Sequence, residues 1–361
     1  MSERELPNGH ASAFDRCALF HPRLRGKRLG TVMKLPRRKF LQLAASAAAL
    51  PALAHSAVAQ DYPTRPIRLV VPFPPGGAFD ALGRPWAEKM KPLLGAVFVE
   101  NIGGSGASLG AAAVARARPD GYTILLGGTL PHVNEALLKN RPLYDPVKDL
   151  DPIVAVAANF IGIAVNPSVP AQTLGEFIAY AKANPGKLSY GHAGIGSTNH
   201  LTGELFKLLA GTPEIVQVPY RGMGPALTDA IGGQIQMATP GITGQVLEFH
   251  RTGRLRVLAV TSPKRLAAAP EIPTAAEAGL PGLIVTASLG LLAPSGTPTA
   301  IIEQIAQATR TALTEHAYQQ SLIEGGFEPT LDSNPEKFRQ SLAADVALWA
   351  PLVKSLGLKL D

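Results

Sequence analysis

Cysteine is all but missing from this 361-residue chain, and the single thiol, Cys17, lies in an N-terminal leader. The remainder can form no disulfide framework and offers no thiolate nucleophile or thiolate metal ligand. Paired histidine spacing is missing as well. His132, His192, His200, His250 and His316 contain no H-x-x-x-H pair, so neither a metal nor a cofactor is expected. Beyond the leader no apolar run is long enough to span a bilayer once its glycines, prolines and polar residues are counted. No short-period repeat or low-complexity tract is present.

Excess charge is also lacking where it would matter. Residues 1–59 hold ten Lys/Arg and three Asp/Glu, which leaves 24 of each sign in the rest and a formal net charge of zero. The pI near 9.5 therefore belongs to the leader and is no sign of a nucleic-acid or membrane-surface partner. That leader reads as an export signal over 33–59. Lys34, Arg37, Arg38 and Lys39 form the basic region, Phe40 to Leu53 the apolar region, and Ala57-Val58-Ala59 a small-residue cleavage site. Arg37-Arg38-Lys39-Phe40-Leu41 resembles a twin-arginine motif, although Pro36 precedes it, and both Tat and Sec routes stay open. Since Met33 opens a signal of ordinary length, residues 1–32 read as the product of a start codon placed too far upstream. A soluble periplasmic product of about 300 residues is expected, a length that suits two domains.

What is present is organised around residues 67–80, where the apolar run Ile67 to Val71 gives way to Pro74, Pro75, Gly76, Gly77, Ala78, Phe79 and Asp80. A strand runs into a loop, and Asp80 is placed to N-cap a helix carrying Leu82, Trp86 and Met90 on one face. The helix start offers unpaired N–H groups and the positive end of a macrodipole, and the glycines admit an anion to the backbone. Two readings fit this segment: a carboxylate cradle or an ordinary strand–helix turn.

Strands at 97–100 and 122–126, a glycine turn at 103–106 and a helix from Ser108 to Ala117 complete a βαβαβ unit, which argues for a parallel doubly wound sheet. Its strand-end loops are 74–80, 103–106 and 127–134, the last containing Thr129. The apolar run Pro152 to Asn166 can cross to a second α/β pattern, with helices at 174–184, 200–209 and 226–231 and strands at 188–190, 217–220, 235–238 and 255–261. Residues 285–293 can carry the chain back, and helices at 299–313, 319–323 and 335–348 would complete the first part. The expected fold is α/β and two-lobed, with residues 60–160 and 286–361 in lobe 1 and 161–285 in lobe 2. A cleft between opposed strand ends is a default place for a small ligand.

Residues 189–200 repeat the chemistry of the first loop: Gly194, Ile195 and Gly196 expose backbone N–H groups, and Ser197, Thr198 and Asn199 add directional side chains before His200. With PFPPGG at 72–77, VEN at 99–101, PDGYT at 119–123, PGKLSYG at 185–191, VPYRG at 218–222, LAVT at 258–261, PTAAEAG at 273–279 and APSGTP at 293–298, the chain from Tyr62 onward resembles the substrate-binding proteins of tripartite tricarboxylate transporters, the Bug receptors. The resemblance implies a type II-like periplasmic-binding-protein fold, two doubly wound sheets joined by two crossover strands. It also implies a monomer that closes on a small organic carboxylate and delivers it to membrane transporter subunits. The expected ligand-binding set is 74–80, Thr129, His192, 194–200, Tyr220, Arg221 and Thr239. Presentation of the ligand to the periplasmic domain of a sensor kinase is the alternative partner.

Phe79, His192 and Ser288 depart from the residues common in that family, so the distal pocket is where this chain is expected to differ. His192 could stack on or pair with a ligand, or turn to solvent; Phe79 could face the ligand or the core. A hydrolase built on Ser197 and His200 is the rival class, yet Gly194-Ile195-Gly196-Ser197-Thr198 lacks the G-x-S-x-G elbow. Tyr220 and Arg221 could meet a distal acidic group or cap their turn. Trp86 and Trp349 read as core.

Overall fold

The computed structural model describes residues 62–355 and 357, apart from the side chains of residues 130, 131 and 134. The export signal, its cleavage site and Cys17 lie outside the described residues. The described residues form one compact unit.

Eleven strands among the described residues make two sheets. The first has the order β11-β4-β10-β3-β1-β2, built from β1 (Ile67–Val71), β2 (Val97–Asn101), β3 (Thr123–Gly128), β4 (Leu150–Phe160), β10 (Thr286–Pro294) and β11 (Phe327–Pro329). The second has the order β7-β6-β8-β5-β9, from β5 (Gly162–Val165), β6 (Ser189–His192), β7 (Val216–Pro219), β8 (Met237–Ala238) and β9 (Arg256–Val260). β1 is parallel to β2 and β3, and β6 to β7 and β8, as the alternating pattern predicts. The remaining strands depart from the all-parallel expectation. β10 is antiparallel to β3 and β4, and β5 to β8 and β9, because a strand that crosses between lobes arrives from the opposite end of the sheet.

The run 152–166 is thus two strands of different sheets in near-continuous extension, β4 and β5, with Ile161 between them bridged to Gly241. The return crossing enters β10. The buried Thr261 hydroxyl ties the two crossings, accepting from the Ile161 N–H (3.0 Å) and donating to the Val285 carbonyl (2.7 Å).

Helices follow the parallel strands. α1 (Ala78–Leu94) buries Leu82, Trp86 and Met90, the face read from their spacing, and Trp86 donates through its indole N–H to Thr309. α2 (Ser108–Ala115) follows β2. The expected loop at 127–134 is instead the end of β3 followed directly by α3 (Thr129–Val133), which continues into a π-turn (Asn134–Leu138). In the second lobe α4 (Leu174–Ala183), α5 (Thr198–Ala210), α6 (Met223–Ile231) and α7 (Gly244–Arg251) alternate with strands. α8 (Thr299–Thr314), α9 (His316–Glu324) and α10 (Pro335–Ser355) close the first lobe, where Trp349 is buried. One apolar core runs through both sheets, from Leu69 and Ile124 past Phe160 to Ala238 and Val257. Among the described residues no helix is long and apolar enough to cross a membrane.

Candidate functional site

Two helices, one from each lobe, begin at the same place. α1 follows β1 through the proline–glycine loop and α5 follows β6 through 193–197. Gly77 and Ala78 at the start of the first, and Thr198 and Asn199 at the start of the second, line one cavity of about 50 Å³. The first N–H groups of any helix have no intrahelical acceptor, so both starts present donors and both dipoles present positive ends. That arrangement suits an anion without need of a cation.

The first loop is braced by charge. Gly77, not Asp80, is the N-cap of α1; Asp80 sits in the first turn, three residues further on. From there its carboxylate accepts from the Gly76 N–H (3.3 Å), the Arg84 guanidinium (3.1 Å) and the Asn101 amide (3.0 Å), while Asn101 also donates to the Phe73 carbonyl (2.8 Å). Burial alone would raise the Asp80 pKa; the hydrogen bonds from Arg84, Asn101 and Gly76 outweigh it and hold the carboxyl below its ordinary value. Gly76 has φ +92°, whereas Gly77 has φ −95° and an open space where a Cβ would stand. Only the first glycine of the pair meets a conformational demand.

Neutral rings brace the second loop. Ser197 is the N-cap of α5 and its hydroxyl accepts from the His200 N–H (3.0 Å). The His200 Nδ1 accepts from the Gly196 N–H (3.1 Å), and the His192 Nδ1 from the Gly194 N–H (3.2 Å). With Nδ1 an acceptor, the His192 Nε2 carries the proton and donates to the Gln217 amide oxygen (2.6 Å). The two imidazole centroids lie 4.5 Å apart, and the Tyr190 ring lies beyond His192 at 5.5 Å, tilted by 40°. Burial lowers both pKa values, that of His200 to about 3, and His192 and Lys207 add to the effect at His200. Gly194 and Gly196, at φ +115° and +81°, take the left-handed conformations that let their N–H groups reach these rings.

His192 therefore lies neither against the cavity nor in solvent: it is fully buried beneath the loop. The sequence could not separate that third position from the other two, since it depends on the packing of β6 against α5. Thr239 is likewise behind the site, trading hydrogen bonds with Asn199: its hydroxyl donates to the Asn199 carbonyl (2.8 Å) and its own carbonyl accepts the Asn199 amide (2.6 Å). Thr129 is elsewhere. Its hydroxyl hydrogen-bonds Asp345 and accepts from the Ser288 N–H (3.0 Å), which locks the end of β3 to α10 and β10 instead of facing the cavity.

Of the other expected residues, Pro74 and Phe79 line the cavity, Phe79 as part of the apolar core as well. Pro75, Gly194, Ile195, Tyr220 and Arg221 line a wider outer cleft of about 650 Å³ that shares Phe73, Pro74 and Ala193 with the inner one. There the Tyr220 hydroxyl donates to Asp229 (2.7 Å), so the tyrosine serves its own turn, while Arg221 is exposed. Ser197 and His200 share no side chain–side chain hydrogen bond among those described, and the serine hydroxyl is spent on capping; that is not the geometry of an activated nucleophile. No metal-binding cluster occurs among the described residues.

The motif reading does not point to Asn159, Ile161, Met223, Gly241, Ala287 and Leu289, which complete the cavity wall. Most belong to the crossings or to the turn beyond β8, remote in sequence from both loops. Asn159 alone left a trace, a polar residue within the apolar run of the crossing.

Two lobes, each aiming a helix N-terminus at a shared cavity, define the class of α/β solute-binding proteins. Comparison with other proteins carries this further. Residues 83–358 match the family described as tripartite tricarboxylate transporter family receptor. Protein BugT of Bordetella pertussis is 35% identical over 305 residues, covering 84% of this chain and 92% of that protein. The solved structure of the periplasmic binding protein BugD aligns with a TM-score of 0.78 at 34% identity, over 82% of this chain and 99% of that one. A protein of R. palustris solved with adipate aligns with the same TM-score at 33% identity, over 83% and 99%. The chain belongs to the tripartite tricarboxylate transporter receptor family, the Bug proteins.

Proposed function

We propose that this chain is an exported, periplasmic receptor that captures a small organic carboxylate by closing its two lobes and delivers it to the membrane subunits of a tripartite transporter. The observation that carries the reading is the convergence of the α1 and α5 starts on one cavity whose lining contains no charged side chain. Expected binding groups are the main-chain N–H groups of 77–79, Ile195, Thr198 and Asn199 with the side chains of Thr198 and Asn199; the N–H groups of Gly76, Gly194 and Gly196 are spent on Asp80, His192 and His200, which with Ser197 and Thr239 hold the loops in place. A hydrogen bond to a charged group contributes about 1.5–3 kcal/mol net, so three or four such bonds reach micromolar affinity after the cost of association. Closure follows because a ligand bridging two lobes stabilises the form in which both sets of donors reach it.

The adipate bound by the R. palustris relative supports the ligand class, and the family supports the transporter as partner. A thermal-shift panel of organic carboxylates, followed by solution scattering with the acid that shifts most, tests the reading. A raised melting temperature and a smaller radius of gyration are expected. A panel without any shift would refute carboxylate capture; a shift without compaction would refute lobe closure. Uptake of the same acid should fail in cells that lack the receptor.

A further inference from the structure

Beyond the helix starts, the side chains of the inner cavity offer no cation and no free hydrogen-bond donor for a second carboxylate. From this we infer that the preferred ligand is a monocarboxylate with an apolar body, aromatic or branched, and not a di- or tricarboxylate. The inference rests on the function proposed above and adds the class of carboxylate.

Three polar side chains line the cavity: Asn159, Thr198 and Asn199. Asn159 donates both amide hydrogens to main-chain carbonyls, of Ile242 (2.6 Å) and Gly326 (3.2 Å). Asn199 gives one of its own to the Thr239 carbonyl (2.6 Å). The amide oxygens of both are acceptors and repel an anion. What remains for a carboxylate is the Thr198 hydroxyl, the second Asn199 N–H and main-chain N–H groups at helix starts, those of α1 and α5 and that of α6, whose first residue is Met223. The two side-chain donors both belong to the α5 start and fall to one carboxylate, which leaves no side-chain donor for a second.

The rest of the wall is carbon. Phe73 and Phe79 form a tilted aromatic pair with ring centroids 5.0 Å apart, and Ile161, Met223, Ala287 and Leu289 extend the apolar surface. A second ionised group held here would lose its hydration and gain no partner, whereas a methyl or ring edge in its place gains contact. A cavity of about 50 Å³ has room for roughly four water molecules. The competing possibility is a longer diacid that leaves the inner cavity and reaches the basic residues of the outer cleft, Arg221 and Lys139. Lys139 already donates to the Ser105 hydroxyl (2.6 Å).

Pairs of acids matched in length separate these outcomes. Titration calorimetry on the purified chain would compare hexanoate with adipate and 4-methylbenzoate with terephthalate. Each monoacid is expected to bind at least tenfold more tightly than its diacid. Equal or tighter binding of adipate or terephthalate would overturn the inference while leaving carboxylate capture intact. If none of the four bound, and no other carboxylate shifted the melting temperature, the proposed function and this inference would fall together. A cation placed in the wall sharpens the result. Met223→Lys, at the first position of α6, is expected to reduce the monoacid preference by tenfold or more, and an unchanged ratio in the folded variant would count against the inference. The unmodified protein decides the question alone if that variant does not fold.

Discussion

The two loops that end at the cavity rest on opposite kinds of support. The loop before α1 is held by an ionised side chain, Asp80, with Arg84 and Asn101 around it; the loop before α5 is held by two neutral imidazoles, His192 and His200. Both supports leave the helix start open to the ligand and put no charge into the cavity. The difference lies in what each support loses. A carboxylate that accepts three hydrogen bonds is costly to remove and resists acid. A buried imidazole that accepts a backbone N–H works only while unprotonated.

The largest expected effect comes from removing the charged brace. Asp80→Ala leaves Arg84, the Asn101 amide and the Gly76 N–H without their acceptor. Breaking a buried ion pair costs ~3–5 kcal/mol, and because the Arg84 side chain is 52% exposed the expected loss is about 2–3 kcal/mol, measurable by denaturant unfolding. A loss below about 1 kcal/mol would erase the proposed asymmetry.

Acid should separate the loops next. The folded pKa of His200 lies below its unfolded value, so the unfolded chain takes up a proton first as pH falls from about 6.5 towards 3, and stability declines through that window. At pH 5 the decline is roughly 2 kcal/mol. Asp80, depressed in the folded state, contributes stability above the ordinary carboxylate pKa and loses it only as pH falls through the lower folded value. Melting from pH 7 to pH 5 should therefore show a slope that His200→Gln reduces, the buried His132 keeping its own share, and that Asp80→Asn leaves in place. Equal flattening by both would mean that the histidine is not the responsive brace.

Backbone strain gives a smaller effect. Gly196→Ala forces a Cβ onto φ +81° and is expected to cost about 1–2 kcal/mol of stability, with at least tenfold weaker carboxylate binding because the Gly196 N–H loses its place on His200. The smallest is Gly77→Ala. With φ −95° and no atom within reach of the new methyl, stability should change by less than about 0.5 kcal/mol. A reversed order in unfolding and calorimetry would show that the second glycine of the first loop, not those of the second loop, carries the conformational demand.

Much of this was legible along the chain. Strand, glycine loop and helix recur with local periodicity, so the elements before and within both loops stand close to their expected bounds, and the two crossings are visible as apolar runs. Local patterns have less to say about direction and facing. Nothing in residues 150–165 announces that they pair antiparallel, or that Asp80 acts from within the first turn while Gly77 takes the cap. His192 and Thr129 illustrate the same gap: each follows a strand end, where ligand contacts concentrate, yet each side chain is claimed by a neighbour more than 20 positions away, Gln217 and Asp345.

The sequence by itself determined the alternating α/β elements, the two glycine loops and the lack of any cation within them, because these depend on composition and on neighbours a few residues apart. Only the tertiary structure decided what the loops enclose. The cavity wall is made by Asn159, Met223, Gly241, Ala287 and Leu289, brought together by the two crossings and by α6. Whether Asn159 offers a donor or an acceptor to a ligand is set by two carbonyls, of Ile242 and Gly326, 83 and 167 positions away. Hydrogen bonds at such separations have no local signature, since a side chain's partners are chosen by packing, and the ligand meets only what packing leaves unpaired.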